Sequence, residues 1–218
     1  MNLFKKLIYI IKKIYYNYIM AYKLLSPYKN TIQHTTIQVL PQHMNSDIMS
    51  NMELILKQKV ENKCNKYGYI DKVHTIDKYY EGNLINEHFL GAANYKIDYQ
   101  CRMCLPIENT MIIARVHNIN SELIILSNGP IVIFIPKDNI DTNIWNITNN
   151  ITHKKKDQVL KTDDYVKVVI DKIKINQNDT QIKSIGILND FAKTSEKEMY
   201  FGSIINEEKE EEEDNFIL

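Results

Sequence analysis

The chain is poor in glycine, proline and cysteine, with 6 Gly, 5 Pro and 3 Cys in 218 residues. Three cysteines, Cys64, Cys101 and Cys104, cannot build a disulfide framework. No secretory signal is evident, so a reducing compartment is expected and the sequons at Asn146, Asn150 and Asn178 should carry no sugar. No run of 18 apolar residues occurs, so no membrane-spanning helix is expected. The chain also lacks a Walker loop, a dinucleotide fingerprint, a zinc quartet and a nucleophile motif, which removes the enzyme classes those motifs mark. Cys101-Arg102-Met103-Cys104 is a lone CxxC. Residues three apart on a strand point to opposite faces, which suits burial better than chelation. The 6 histidines show no metal-ligand spacing. Asp163-Asp164, just before a strand, reads as a turn and not as an acid/base pair. No catalytic residue, metal or cofactor is expected.

What is present is an uneven distribution of charge. Lys+Arg and Asp+Glu are each 27, but Glu207–Asp214 (EEKEEEED) holds seven acids and one Lys, a net of −6. The remaining chain is therefore +6. A mildly basic body with an acidic tail fits a nucleic-acid partner, with the tail either solubilising or competing with RNA. The abundance of Ile, Asn, Lys and Tyr reads as the coding bias of an AT-rich genome.

The most informative stretch runs from Pro106 to Lys137, PIENTMIIARVHNINSELIILSNGPIVIFIPK. Three short apolar runs, Met111–Val116, Leu123–Leu126 and Ile131–Ile135, are rich in β-branched residues and separated by turn residues, which predicts consecutive hairpin strands. In the first, Ile112, Ala114 and Val116 point one way while Arg115 and His117 point the other. Asp164–Ile175 alternates as a fourth strand, with Val166, Val168 and Ile170 inward and Lys167 and Asp171 outward. Ile182–Leu188 reads as the fifth. Five such strands predict an OB-fold barrel, with strand order 1-2-3-5-1-4. Residues 145–156, rich in Asn and Lys, read as a long insertion loop.

Upstream, residues 31–40 predict a strand ended by Pro41, and 46–61 a helix with its cap at Asn45-Ser46-Asp47. Ile70–Asp77 and Ala92–Cys101 read as two further strands, broken at Glu81-Gly82-Asn83. The expected organisation is a basic extension over 1–21, an α+β domain over 22–105, the barrel over 106–192 and a disordered acidic tail over 193–218. Residues 1–19 combine four lysines with five aromatics and make a poor signal peptide, so Met20 is the expected start of the working protein.

Three segments in this order carry a family resemblance. KVENKCNKYGYIDKVHTID (59–77) resembles the tip-loop segment of the RNA polymerase stalk subunit, the seventh subunit of eukaryotic RNA polymerase II and its archaeal counterpart. The Pro106–Lys137 stretch resembles the first three strands of that subunit's RNA-binding barrel, and NDTQIKSIGIL (178–188) its closing strand. Versions from large DNA viruses, with the DTNIWNIT run at 141–148, are the most similar.

The resemblance implies a non-catalytic subunit of a DNA-directed RNA polymerase, acting in transcription initiation and on the nascent transcript. It implies an α+β tip domain that docks to the core, at the clamp base of the large subunit and the sixth subunit, and leaves a fourth-subunit-like partner open. It implies an OB barrel that contacts nascent single-stranded RNA, and a place in the virion and host cytoplasm, or in the nucleus for a cellular protein. By position, Lys66, Tyr67, Gly68 and Tyr69 match the docking loop, with Gly68 suited to positive φ and neither tyrosine ring expected in the core. The candidate RNA-binding residues are Arg115, Phe134, Lys137, Lys172 and Lys183. Of these, Arg115, Lys137 and Lys183 are expected to share one face. Asn109 and Leu123 stand where the family pattern has Gly, and Ile125 where such barrels often expose an aromatic. The alternative from the residues alone is a free-standing OB-fold RNA-binding protein of translation or RNA decay.

Overall fold

The structure is a computed structural model and describes residues 22–84, 90–120, 122–147 and 150–202. The expected start at Met20, the basic extension and the acidic run lie outside the described residues. The first half contains β1 (Tyr28–Val39), α1 (Ile48–Val60), β2 (Lys63–Asn65), β3 (Gly68–Tyr79), β4 (Asn83–Leu84) and β5 (Ala93–Cys104). They form an antiparallel sheet in the order β1-β5-β3-β2, with β4 pairing β5. Pro41 ends β1, since it has no N–H to continue a ladder. The turn into α1 is closed by Asn45, whose Oδ1 accepts from the Asp47 N–H at 3.0 Å and from Asn51 Nδ2 at 3.1 Å. Met52 and Leu56, one turn apart, seat α1 on Ile37, Val39, Ile70, Val73, Ile97, Tyr99 and Cys101. β3 shifts register against β5 at three places, and each such bulge adds twist. The sheet therefore curls, with α1 on one face.

The second half is a closed barrel. β6 (Met111–Ile119), β7 (Leu123–Asn128), β8 (Ile131–Pro136), β12 (Tyr165–Lys174) and β13 (Ile182–Phe191) run in the order β12-β13-β8-β7-β6, with β6 pairing β12. Counted along the barrel this is 1-2-3-5-4-1, with a parallel pair between the third and fifth strands. The fourth strand thus lies between the fifth and the first, which corrects the expected order and completes the OB-type closure. Asn109, where the family pattern has Gly, takes φ +61°, a left-handed conformation that asparagine tolerates best after glycine.

Two regions differ from the sequence reading. Among the described residues of 145–156, 145–147 and 151–153 are strands and not loop. β9 (Trp145–Ile147), β10 (Ile151–His153) and β11 (Gln158–Val159) form a three-stranded sheet on the barrel. The Asn and Lys residues that suggested a loop alternate with Trp145, Ile151 and Leu160, all buried. Trp145 Nε1 donates to the Asn189 carbonyl at 2.9 Å, and its ring meets His153 and Phe191. The second region is 194–202, placed in the disordered tail by the sequence reading and here helical (α2). Glu196 reaches back to accept from the Lys193 N–H at 3.0 Å, the reciprocal half of a capping box. Tyr200 is buried, and Asn128 Nδ2 donates to its hydroxyl at 3.1 Å and to the Ile113 carbonyl at 2.6 Å.

The two halves share a packed junction. Cys104 belongs to the barrel-side core with Cys64 and Tyr69, whereas Cys101, three residues earlier, faces α1. The Cys64 N–H donates to the Asp179 carbonyl at 2.7 Å, and the Asn178 N–H donates back to the Cys64 carbonyl at 2.8 Å. Residues before β1 also pair with the barrel, through Leu25 N–H to the Met111 carbonyl and Met111 N–H to the Lys23 carbonyl, both 3.1 Å. Buried Arg102 holds Asp71 through Nη2 at 2.6 Å, and its guanidinium lies over the Tyr28 ring at 4.8 Å. The Tyr28 hydroxyl fills the space where a Cβ on Gly129 would stand, so the β7–β8 turn, at φ +53°, admits only glycine there.

His153 makes the added sheet testable. Its Nδ1 accepts from the N–H groups of Lys155 and Lys156, both at 3.2 Å, which fixes the Nε2–H tautomer, and Nε2 lies 3.2 Å from Asp190 Oδ1. Replacing His153 with Leu removes the acceptor of two N–H groups and one of the partners of Asp190, and should cost about 1–3 kcal/mol in a urea titration. Burial alone would raise the Asp190 carboxyl, but hydrogen bonds from Lys156 and the Phe191 N–H outweigh it and hold it below the usual carboxylate range. The stability it adds is therefore complete above its unfolded pKa of about 4 and is lost as pH falls through the lower folded value. Asp190→Asn should flatten that acid limb.

Candidate docking turn and nucleic-acid interface

The turn between β2 and β3 is organised by Asn65. Its Oδ1 accepts from the N–H groups of Tyr67 at 2.7 Å and Gly68 at 3.0 Å, an Asx-type turn. Gly68 takes φ +154°, and a Cβ there would stand 2.8 Å from the Cys104 carbonyl oxygen. Glycine is required by both conformation and space. Lys66 and Tyr67 are exposed, Tyr67 by 51 %, with the Lys66 ammonium 4.6 Å from the Tyr67 ring centre. Tyr69 is not exposed. It is buried in the barrel-side core, and its hydroxyl bonds Asn62 Oδ1 at 3.2 Å, which corrects the expectation that neither ring is core. Of the four docking candidates, Lys66 and Tyr67 alone present side chains to a partner.

On the barrel, β8 buries Ile131, Ile133 and Ile135 and turns Val132, Phe134 and Pro136 outward, half-buried. Phe134 is thus a surface aromatic. Ile125 on β7 stands opposite it on one side and Ile185 on β13 on the other. Ile185 is 38 % exposed and pairs in turn with Lys172 of β12. One rung toward the junction, a second row runs Arg115, Ser127, Val132, Lys183, Lys174 across five strands. Lys174 and Lys183 are direct cross-strand partners, and like charges so placed repel. Lys172, Lys174 and Lys183 are exposed, and none forms an ion pair among the described residues.

The five RNA-binding candidates therefore separate. Phe134, Lys172 and Lys183 share the β8–β13–β12 face. Arg115 shares a row with Lys183, but its guanidinium is engaged by Asp163 at 2.8 Å. Two strands, β7 and β8, stand between them, about 14 Å in all. Lys137 lies past the other end of β8, where its N–H donates to the Glu122 carbonyl at 3.1 Å. Arg115, Lys137 and Lys183 thus do not form one cluster. Lys167 is held by Glu196 of α2 at 3.2 Å.

Sequence reasoning missed Lys174 as a member of the face. The cause is a register shift between Ile170 and Lys172. Even-numbered residues of β12 point inward before it and outward after it. The signal was present: lysines at 172 and 174 continue the parity of buried Val166, Val168 and Ile170. Such a conflict marks a bulge. The face offers cations around a small apolar strip, which suits a polyanion with flat apolar faces. The thiols offer no competing chemistry. Burial pushes Cys101 up to about 11, and burial also raises Cys64 and Cys104, so all three stay protonated at neutral pH.

No protein-family model matches the chain. The chain is 35 % identical over 176 residues to a protein of Acanthamoeba polyphaga mimivirus described as a DNA-directed RNA polymerase subunit, and the match covers 80 % of this chain and 88 % of that protein.

The two tyrosines of the turn should behave oppositely. Tyr67→Ala should change stability by less than about 0.5 kcal/mol, as at other surface positions. Tyr69→Ala should cost about 3 kcal/mol, as for a core aromatic. Chemical denaturation of both variants checks the assignment.

Proposed function

Because the chain belongs to the DNA-directed RNA polymerase subunits, the family of the mimivirus protein, we propose that it is the non-catalytic stalk subunit of its enzyme. Residues 22–105 act as the docking unit and 106–192 as the RNA-binding barrel. The exposed Tyr67, with Lys66 beside it, is the docking contact to the core, at the large-subunit clamp base and the sixth subunit. The barrel takes nascent single-stranded RNA on the face of Ile125, Phe134, Ile185, Lys172, Lys174 and Lys183. Such a subunit works where the viral polymerase works, in the virion and the host cytoplasm.

The observation that carries the RNA reading is the direct pairing of Lys174 with Lys183, without an acid, beside half-exposed Phe134 and Ile185. A folded protein gains nothing from that repulsion, whereas a phosphate backbone relieves it. Phe134 and the two isoleucines then contact bases without reading their edges, so sequence preference is weak.

Two measurements test the proposal. Each phosphate contact to a single strand contributes about −0.7 to the log–log salt slope, so three lysines give about −2. Lys172→Glu, Lys174→Glu and Lys183→Glu together should abolish that slope, and Phe134→Ala should weaken binding about fivefold. A salt-independent affinity, or one unchanged in the triple variant, would reject the face. Docking is tested separately by co-purification. The native chain should recover the large polymerase subunits, and Tyr67→Ala should lose them while staying folded. Native chain recovered without those subunits would favour a free-standing RNA-binding protein.

A further inference from the structure

We propose that the chain's own acidic segment, Glu207–Asp214, docks on the Lys172–Lys174–Lys183 face and competes there with RNA. The inference rests on the reading of that face as the RNA-binding surface.

α2 is pinned at its end by Tyr200, whose hydroxyl accepts from Asn128 Nδ2 at 3.1 Å, while Phe201 packs edge-on against Tyr165 at 5.8 Å between ring centres. The chain leaves at Gly202, two residues on. Asn128 ends β7, and its neighbour Ser127 belongs to the row that continues through Val132 to Lys183 and Lys174. At about 4.8 Å per strand, Lys183 lies about 10 Å and Lys174 about 14 Å from Ser127 around the barrel. The four residues Ser203–Asn206 reach about 14 Å when extended, and the eight of the acidic run extend about 27 Å further. The segment therefore leaves from the same end of the barrel as the lysine pair and is long enough to lie along it.

Charge decides the occupant. The run carries a net of −6, and the face presents three ammonium groups that form no ion pair among the described residues. The neighbouring cations Arg115 and Lys167 already have acid partners, Asp163 and Glu196, whereas Lys172, Lys174 and Lys183 form no ion pair among the described residues. A tether of this length gives an effective concentration on the order of millimolar, sufficient for a weak contact to compete with a weakly bound transcript. RNA must displace the segment, so the segment sets a threshold of affinity or local RNA concentration.

The test uses the full chain and a variant in which the seven acids of 207–214 are changed to Gln. The first readout needs no RNA: the rates at which Lys172, Lys174 and Lys183 are acylated by an amine reagent, with exposed Lys66 as internal control. In low salt the three should react about threefold or more slowly in the native chain than in the variant, and the difference should vanish in about 1 M salt. Equal rates in low salt would overturn the inference. The second readout is affinity for a single-stranded oligoribonucleotide, which should rise about three- to tenfold in the variant. Shielded lysines with no RNA bound by either protein would sink the RNA reading and keep the docked segment. Unshielded lysines with equal RNA affinity would keep the RNA reading and sink the segment.

Discussion

The exchange of two backbone hydrogen bonds between Cys64 and the β12–β13 turn is the contact on which the rest depends. β2 is only three residues long, and alone it would be a weak edge. Bonded to Asn178 and Asp179 on one side and to β3 on the other, it becomes a bridge between the first sheet and the barrel. Cys64, Tyr69 and Cys104 bury themselves in the barrel-side core around it. The consequence is geometric. Lys66 and Tyr67 follow Cys64 by two and three residues, and Lys174 and Lys183 flank the very turn to which Cys64 is bonded. The exposed turn and the lysine pair are thus held through one hairpin, and neither can shift far without breaking the backbone pair that ties buried Cys64 to it.

This arrangement explains an apparent waste of stability. A lysine opposite a lysine on paired strands is unfavourable, and an acid at either position would relieve it. The barrel does use acids elsewhere, with Asp163 on Arg115, Glu196 on Lys167 and Asp190 on Lys156. Its core is filled by Ile, Val and Leu with Trp145 beneath the added sheet, so stability does not depend on the exposed rows. Uncompensated charge is then tolerable, and it lies beside the only strip where Ile125, Phe134 and Ile185 meet on the described outer face of β7, β8 and β13.

Much of the fold was legible because period and punctuation agreed. β-branched runs of four to eight residues between turn residues became β6, β7 and β8, and the 3.6-residue spacing over 46–61 became α1 within two residues. The CxxC geometry also followed from strand periodicity, with Cys101 and Cys104 in different cores. What was not legible depended on pairs distant in sequence. Tyr69 sits in a stretch that reads as a turn, yet Cys104 and the barrel bury it. Residues 145–156 look polar because Asn146, Asn150, Lys154, Lys155 and Lys156 face solvent, while Trp145 and His153 find partners at Asn189 and Asp190. α2 looks too polar to fold until Tyr200 meets Asn128 across 72 residues. Tertiary partners overrode local composition in each case.

The account stands most directly on which part of the chain meets RNA inside a transcribing polymerase. Elongation complexes assembled with a transcript carrying 4-thiouridine at successive positions upstream of the exit point can be irradiated and the crosslinked peptides mapped. The account predicts crosslinks within 123–136 and 172–187, the segments bearing Ile125, Phe134, Lys172, Lys174, Lys183 and Ile185. Crosslinks confined to 28–104, or none on this chain at any transcript length, would contradict it.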